Sequence, residues 1–405
     1  MLKKTWHLYK DAFSGISNEV WLLALVSLIN RSGTMVVPFL TIYLKSKMGF
    51  SYLEIGTVMS VFGIGSLIGT YSGGKLTDKI GFYPVLFWSL FLGGLSFILL
   101  GFLTSFLSWC IAITILGMVG EAFRPAIYTG LASYSEGNYQ TRGTSLIRLA
   151  VNLGISVGPA IGGFIAYNLG FSGLFWADGL TCIAAALFMR TFIPYKRNKK
   201  INGSELIDAK PGISAYKDIH FLIFIGFLIF TSLGFMQFFL LIPMYYKEHF
   251  MFNESQIGLI LALNGMIIVL FEMPLVHRFE NKIPKLIFIA LGSGLLGISF
   301  LILIPGFTVW YVAVFSLIIL TLGEIFNMPF ANSFAMNQAS EGRRGQYMAL
   351  YAMAYSIAHI IAPGMGSFFI ENYGYSMLWT LNGLLCLVSM GGFYFMYKNP
   401  PLKQI

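Results

Sequence analysis

Long apolar runs separated by short polar connectors form the dominant pattern along the chain. A helix that crosses a bilayer needs about 20 apolar residues at a rise of about 1.5 Å each. Membrane barrel strands are about 10 residues long with alternating polarity, and the runs show no such alternation. The pattern therefore predicts an all-α integral membrane protein with twelve transmembrane helices. We place the spans at 19–44, 54–73, 83–106, 108–131, 144–168, 171–193, 219–244, 255–275, 284–304, 309–333, 345–369 and 374–396.

Lysine and arginine residues are concentrated in alternate connectors. The connectors that face the same side as the N-terminus carry most of them, including Lys75, Lys79, Arg142, Arg343 and the basic stretch 196–200, whereas the opposite connectors carry Lys45, Lys47 and Lys247. Because positive charge is retained on the cytoplasmic side, both termini are expected in the cytoplasm. Residues 1–20 are basic and amphipathic, which predicts an interfacial helix.

The composition agrees with a membrane protein and argues against a nucleic-acid partner. Charged residues make up 11% of the chain, whereas a soluble domain carries about 25%. The net charge of +9 comes from the short connectors and not from one basic domain. The three cysteines, Cys110, Cys182 and Cys386, lie far apart inside apolar runs, so we expect no metal site and no cofactor.

No motif of an enzyme or of an ATP-driven pump is present. The chain contains no HExxH and no GxxxxGK[ST] sequence, and no connector is long enough for a nucleotide domain. Transport energy would then come from an ion or substrate gradient. The short connectors and the lack of a cleavable leader favour a bacterial inner membrane as the location.

The two parts of the chain repeat each other at a shift of about 203 residues. The sequence 120–124 (GEAFR) returns as 323–327 (GEIFN), and 159–162 (PAIG) returns as 363–366 (PGMG). Duplicated six-helix halves are typical of secondary transporters. We therefore predict an N-terminal half at 1–193, a cytoplasmic linker at 194–218 and a C-terminal half at 219–405.

Two motifs carry a resemblance to the major facilitator superfamily. The connector 74–81 (GKLTDKIG) resembles the signature loop G-x-L-x-D-[RK]-x-G of that family. Span 5 resembles the motif of its drug:proton antiporter branch through Gly154, Gly158, Pro159 and Gly162. The resemblance implies the major facilitator fold and gating or packing roles for both motifs. In the family, the loop aspartate lies near the N-terminus of the eleventh helix and latches one gating state. Asp78 is therefore expected to act as the latch, and Gly74, Lys79 and Gly81 are expected to be gating or structural residues of the same loop, in which the glycines permit a tight turn.

A second branch is also similar in part. Residues 30–33 (NRSG), together with Gly323-Glu324 and Pro329, resemble motifs of proton-coupled oligopeptide transporters, although the acidic residues of the span 1 motif are missing. We favour a proton-coupled exporter of small organic, drug-like compounds. The alternative is a symporter that takes up peptides or another small nutrient.

Ionisable residues inside spans are costly and suggest function. Glu121 in span 4 and Glu324 in span 10 occupy repeat-equivalent positions near mid-span, and we predict that they couple protons. Arg31 and Arg124 are placed to pair with Glu121, either in substrate binding or as structural ion pairs. Asn327 stands where the repeat would place the equivalent of Arg124, so Glu324 is expected to hold a proton more readily.

Span 11 carries polar aromatic residues at steps of four, which places them on one helix face. Tyr351, Tyr355 and His359, together with Asn30, Arg31, Arg124 and Asn327, are our predicted substrate-binding residues, with helix packing as the alternative for the tyrosine face. Arg148 and Glu272 are expected near the inner ends of their spans as gate or packing residues. The role of Asp178 in span 6 is left open.

The sequence thus predicts a monomer in the lipid bilayer that binds a small organic substrate and protons. The two halves are expected to rock about a central cavity, with protonation of Glu324, Glu121 or both biasing the two access states.

Overall fold

The structure is a computed structural model that describes residues 15–33, 35–135, 140–196, 214–279, 282–338 and 343–399. Within these ranges the chain forms helices and connections and contains no strand. Most of the predicted interfacial helix and most of the predicted linker lie outside the described residues. The described part confirms the all-α expectation.

The helices alternate with short connections along the whole described chain. In chain order they are α1 (Asn18–Ser32), α2 (Val37–Ser46), α3 (Tyr52–Ile80), α4 (Phe82–Leu100), α5 (Phe106–Glu121), α6 (Phe123–Tyr134), α7 (Gln140–Phe192), α8 (Ile219–Leu240), α9 (Ile242–Glu248), α10 (Glu254–Phe279), α11 (Lys285–Leu301), α12 (Trp310–Gln338) and α13 (Arg344–Lys398).

These helices are consistent with the predicted twelve spans. Nine helical stretches in the described ranges are long and apolar enough to cross a membrane. Two of them, Arg142–Phe192 and Gly345–Lys398, have 51 and 54 residues, and each is long enough for two crossings at about 1.5 Å per residue. The shorter apolar helix Lys285–Leu301 corresponds to predicted span 9.

The two longest helices are each broken at one glycine. Gly170 in α7 has φ 72° and ψ 178°, and Gly374 in α13 has φ 78° and ψ 176°. A positive φ of this kind is adopted readily by glycine and rarely by other residues. The two glycines lie 204 residues apart, so the backbone itself repeats at the shift found in the sequence.

Three predicted spans are not single helices. Span 1 is divided between α1 and α2, span 4 between α5 and α6, and span 7 between α8 and α9. A proline lies within the first three residues of each second helix, at Pro38, Pro125 and Pro243. Proline is well tolerated in the first helical turn, because the amide hydrogen that it lacks has no partner inside the helix there. The apolar runs predicted continuous helices at these places.

The signature connector is shorter than predicted. Residues 74–80 continue α3 to Ile80, and only Gly81 leaves the helix, with φ 96°. Gly81 therefore makes the turn into α4, whereas Gly74, Asp78 and Lys79 lie on the last turns of a helix. The expected loop conformation of 74–80 is wrong, and the turn at Gly81 is confirmed.

The described residues form two compact units. The first comprises the described residues within 1–39, 61–201 and 254–265, and the second comprises the described residues within 40–60, 202–253 and 266–405. In the first unit, α1 and α4 both pack along α7 around buried residues such as Leu23, Phe82 and Met189. In the second, α8 and α11 both pack along α13 around a core that includes Phe221 and Phe393. The predicted division into halves at residues 193 and 219 stays a prediction.

Candidate functional site

The glycine motif of span 5 packs closely against the first span. A β-carbon added to Gly154 would lie 2.7 Å from the β-carbon of Arg31, and one added to Gly162 would lie 2.7 Å from that of Met35. Gly158 faces the carbonyl of Ser32 in the same way, at 3.1 Å. Small residues permit this approach of two membrane helices. The motif thus fixes the position of Arg31 in the first unit.

Arg31 belongs to a cluster of three charges in the first unit. Its Nη1 lies 3.7 Å from Oε1 of Glu121, and Nε of Arg124 lies 3.3 Å from Oε2 of the same carboxylate. The side chains of Arg31 and Glu121 are 18% and 19% exposed, whereas that of Arg124 is 58% exposed. Either arginine was expected to be able to pair with Glu121, and both lie within ion-pair distance of it. Its function stays a prediction.

The candidate charges lie at the midpoints of equally long spans. Arg31, Glu121 and Glu324 fall within two residues of the centre of the helical stretches Asn18–Ser46, Phe106–Tyr134 and Trp310–Gln338, each of 29 residues. A charge at the middle of a membrane helix costs about 3 kcal/mol or more unless it is paired or hydrated. Glu121 also ends α5, directly before the break at Ala122.

Glu324 lies beside a pair of tyrosines in the second unit. Its charge is within electrostatic reach of the Tyr355 hydroxyl. The hydroxyl of Tyr351 donates a hydrogen bond to that of Tyr355 over 3.4 Å, and the two rings pack edge to face at 5.3 Å. His359, on the same helix, is half-buried. Glu324 is therefore close enough to Tyr355 of span 11 to act on it electrostatically.

Asn327 and Tyr347 make packing hydrogen bonds. Nδ2 of Asn327 donates to the Ile289 carbonyl over 3.2 Å and to Oγ of Ser293 over 3.0 Å. The hydroxyl of Tyr347 donates to Oδ2 of Asp218 over 2.8 Å, at the start of α8. Both side chains are buried. These contacts favour a packing role for Asn327, and its predicted substrate contact stays untested.

The remaining predicted residues are distributed over the two units. Asn30 is half-buried in α1, one residue before Arg31. Arg148 is exposed in the first unit, and Glu272 is half-buried in the second. Asp78 and Lys79 are exposed at the end of α3. The gating roles of these four charged residues stay predictions.

Sequence reasoning missed an acidic and aromatic cluster in the second unit. Oε2 of Glu248 accepts hydrogen bonds from the hydroxyls of Tyr52, over 2.7 Å, and Tyr375, over 2.6 Å. Nζ of Lys45 lies 3.8 Å from the centre of the Tyr52 ring. The signal was present in the sequence, since Lys45, Tyr52 and Glu248 fall in connectors predicted on one side of the membrane, and Tyr375 is the second residue of a span that begins on that side. The connectors were used only to assign the orientation of the chain in the membrane from their lysine and arginine residues.

A test of the small-residue packing uses Gly258 in α10. A β-carbon at Gly258 would lie 2.2 Å from the Pro159 carbonyl oxygen, so Gly258→Ala forces two backbones apart. We expect a loss of stability of about 1 to 3 kcal/mol, measured by thermal unfolding in detergent. Gly93→Ala in α4 is the control, because nothing lies within 4 Å of its added β-carbon. Equal stability of the two variants would contradict the close packing.

Comparison with known proteins gives the class. The family model described as Major Facilitator Superfamily matches residues 20–363. This match covers most of the chain, so the chain belongs to the major facilitator superfamily. It is an integral membrane transporter and not an enzyme, which confirms the resemblance drawn from the two motifs.

Individual relatives are distant but cover most of the chain. The chain is 25% identical over 368 residues to a Na(+), Li(+), K(+)/H(+) antiporter of Planococcus maritimus, covering 83% of this chain and 85% of the relative. It is 23% identical over 332 residues to the quinolone resistance protein NorA of Staphylococcus aureus, covering 81% and 84%.

Solved structures support the fold. A POT family transporter in complex with a thioalcohol-conjugated peptide aligns with a TM-score of 0.79 at 16% identity, covering 96% of this chain and 98% of that one. The nucleoside transporter NupG aligns with a TM-score of 0.77 at 16% identity, covering 94% and 100%. At this identity the likeness shows the fold alone.

Proposed function

We propose that the protein is a proton-coupled secondary transporter that exports small organic compounds by alternating access. The proposed location is a bacterial cytoplasmic membrane, with both termini in the cytoplasm. The observation that carries the proposal is the placement of Glu121 and Glu324 at the midpoints of two 29-residue spans that occupy repeat-equivalent positions. Retaining a carboxylate at both positions has a cost that a purely structural span avoids.

The surroundings of the two carboxylates suit different tasks. Glu121 lies between two arginines and is within ion-pair distance of both. Glu324 lies within electrostatic reach of the Tyr355 hydroxyl, which accepts a hydrogen bond from Tyr351. A carboxylate whose surroundings change as access alternates takes up a proton in one state and releases it in the other. We therefore assign the principal proton site to Glu324, with Glu121 as the second.

The tyrosine pair offers a surface for the organic substrate. An aromatic ring binds apolar groups through its face and attracts cations through the same face, while the hydroxyl offers hydrogen bonds. This surface does not depend on the charge of Glu324. Substrate binding and proton binding thus use adjacent but different groups, as coupling between them requires.

The two relatives support export by exchange with protons. One is named for quinolone resistance and the other for the exchange of monovalent cations against protons. The symport alternative is supported by the motifs at 30–33 and at Gly323-Glu324. Antiport and symport move protons in opposite directions for the same direction of substrate movement, so one assay separates them.

The test is an internal-pH measurement in proteoliposomes that contain the purified protein. Cationic dyes such as ethidium, monovalent cations and dipeptides are added outside in turn, and liposomes without protein serve as the control. We expect proton efflux when a cationic dye enters. Proton entry with dipeptides would contradict export and support symport. The absence of any proton movement with every compound would contradict proton coupling to these substrates.

A further inference from the structure

Asp178 is a buried acid that the proposed function does not use. It lies in α7, eight residues beyond the break at Gly170, which is about 12 Å along the helix. Its side chain has no exposed surface. A charged group in such a place requires either a partner or a proton.

The Asp178 carboxylate reaches the break in the first span. Oδ2 accepts a hydrogen bond of 2.9 Å from the backbone N–H of Val36, directly before α2. The acid therefore caps the N-terminus of α2, a helix of ten residues whose dipole favours a negative charge at that end. One oxygen of the carboxylate is satisfied by this contact.

The other oxygen, Oδ1, has no hydrogen-bond partner among the described residues. It lies 3.4 Å from the position of a β-carbon built on Gly33, and the Thr181 hydroxyl lies 2.7 Å from the same position. Neither of the two ion pairs between described residues includes Asp178. A buried carboxylate oxygen of this kind is a site where a proton binds without displacing an existing contact.

The second half of the chain contains a natural comparison. Asn382 stands 204 residues after Asp178 and is also fully buried, and Cys182 has its counterpart in Cys386 at the same shift. The same helix position thus accommodates a neutral amide of nearly the same shape. Packing at this position is therefore compatible with a neutral side chain, which Asp178 becomes when it binds a proton.

We propose that Asp178 is a further proton-binding site, which couples protonation to the break in the first span. Proton binding at Oδ1 removes the charge that favours the N-terminus of α2. The new O–H then needs an acceptor, and the Thr181 hydroxyl oxygen borders the same space. The role of this step in the transport cycle rests on the proposed proton-coupled function.

The charged and titratable groups around Asp178 are few. Cys182, one turn along α7, donates its S–H to the Gly33 carbonyl over 3.9 Å. Arg31, two residues before that glycine, lies 3.7 Å from Glu121. Arg124 forms an ion pair with the same Glu121 carboxylate. Helix α4, which packs along α7, carries one titratable residue, Tyr83. Arg31 is thus the basic residue of α1 nearest to the break, and its positive charge is paired with the carboxylate of Glu121.

Infrared difference spectroscopy of the purified protein tests this site without any substrate. Lowering the pH is expected to produce a carboxylic acid C=O band in the wild type that is missing from Asp178→Asn. The side-chain oxygen of asparagine can still accept the hydrogen bond from Val36, and a buried asparagine stands at the equivalent position 382, so the variant is expected to fold. Glu324→Gln is the matched control and should retain the Asp178 band.

Three results would overturn the proposal. They are identical spectra of the wild type and Asp178→Asn, a band that does not change with pH, and a band that responds to Na⁺ at constant pH. If Glu324→Gln still transports uphill, the assignment of the principal proton site fails, yet the infrared result for Asp178 is unaffected. If the Asp178 band is missing while Glu324→Gln loses uphill transport as expected, the inference about Asp178 fails and the proposed function stands.

Discussion

Replacing Glu324 by glutamine is expected to abolish uphill transport while leaving substrate exchange intact. A pH difference of one unit is worth about 1.4 kcal/mol, which supports roughly tenfold accumulation for one proton per substrate. Glutamine has the shape of the protonated acid but cannot release a proton. The accumulation ratio of the variant should therefore fall to about one, whereas exchange over the Tyr351 and Tyr355 surface continues.

The measurement compares accumulation of ethidium under an imposed pH gradient with exchange of labelled against unlabelled dye at equal pH. Glu54→Gln is the control, since Glu54 accepts the backbone N–H of Ser51 over 2.8 Å at the start of α3 and glutamine retains an acceptor. Normal accumulation by Glu324→Gln would show that this carboxylate is not the coupling group. Loss of both activities would assign it to substrate binding instead.

A double-mutant cycle on Arg31 and Glu121 is expected to show strong coupling between the two side chains. Each is less than one-fifth exposed, so neutralising one leaves the other charge poorly solvated. We expect Arg31→Gln or Glu121→Gln alone to destabilise the protein by about 2 to 3 kcal/mol. The double variant should recover part of this loss, with a coupling energy of about 2 kcal/mol.

The same cycle on Arg124 and Glu121 provides the comparison. The Arg124 side chain is 58% exposed, and an exposed pair contributes about 1 kcal/mol or less. Reversible unfolding of the purified protein, followed by tryptophan fluorescence, gives the free energies. A larger coupling for Arg124 than for Arg31 would contradict the expectation that the less exposed pair is the more strongly coupled.

The all-helical class and the spans followed from the sequence because run length and hydropathy are local properties. The repeat added independent support, since Gly120-Glu121 and Gly323-Glu324 recur at nearly one shift. The break before Val37 and the break at Leu241 were not predicted. The apolar run continues through both breaks, so hydropathy does not reveal them, and Pro38 and Pro243 were the available signal.

The candidate site was predicted only in part. The pairing of Arg31 and Arg124 with Glu121 followed from depth and helical spacing, and the structure shows both contacts. The role of Asp178 could not be predicted, because its partner is a backbone N–H 142 residues away and becomes available only where the first span is interrupted. Backbone groups carry no signature in the sequence.

Reversal of the pH gradient tests the central claim, proton-coupled export, most directly. Proteoliposomes with the membrane potential clamped by potassium and valinomycin are given a gradient of one direction and then of the other, and ethidium movement is recorded. We predict that the dye moves against the proton flow in both cases, and that its direction reverses with the gradient. Dye movement whose direction does not change when the pH gradient is reversed would contradict proton-coupled export.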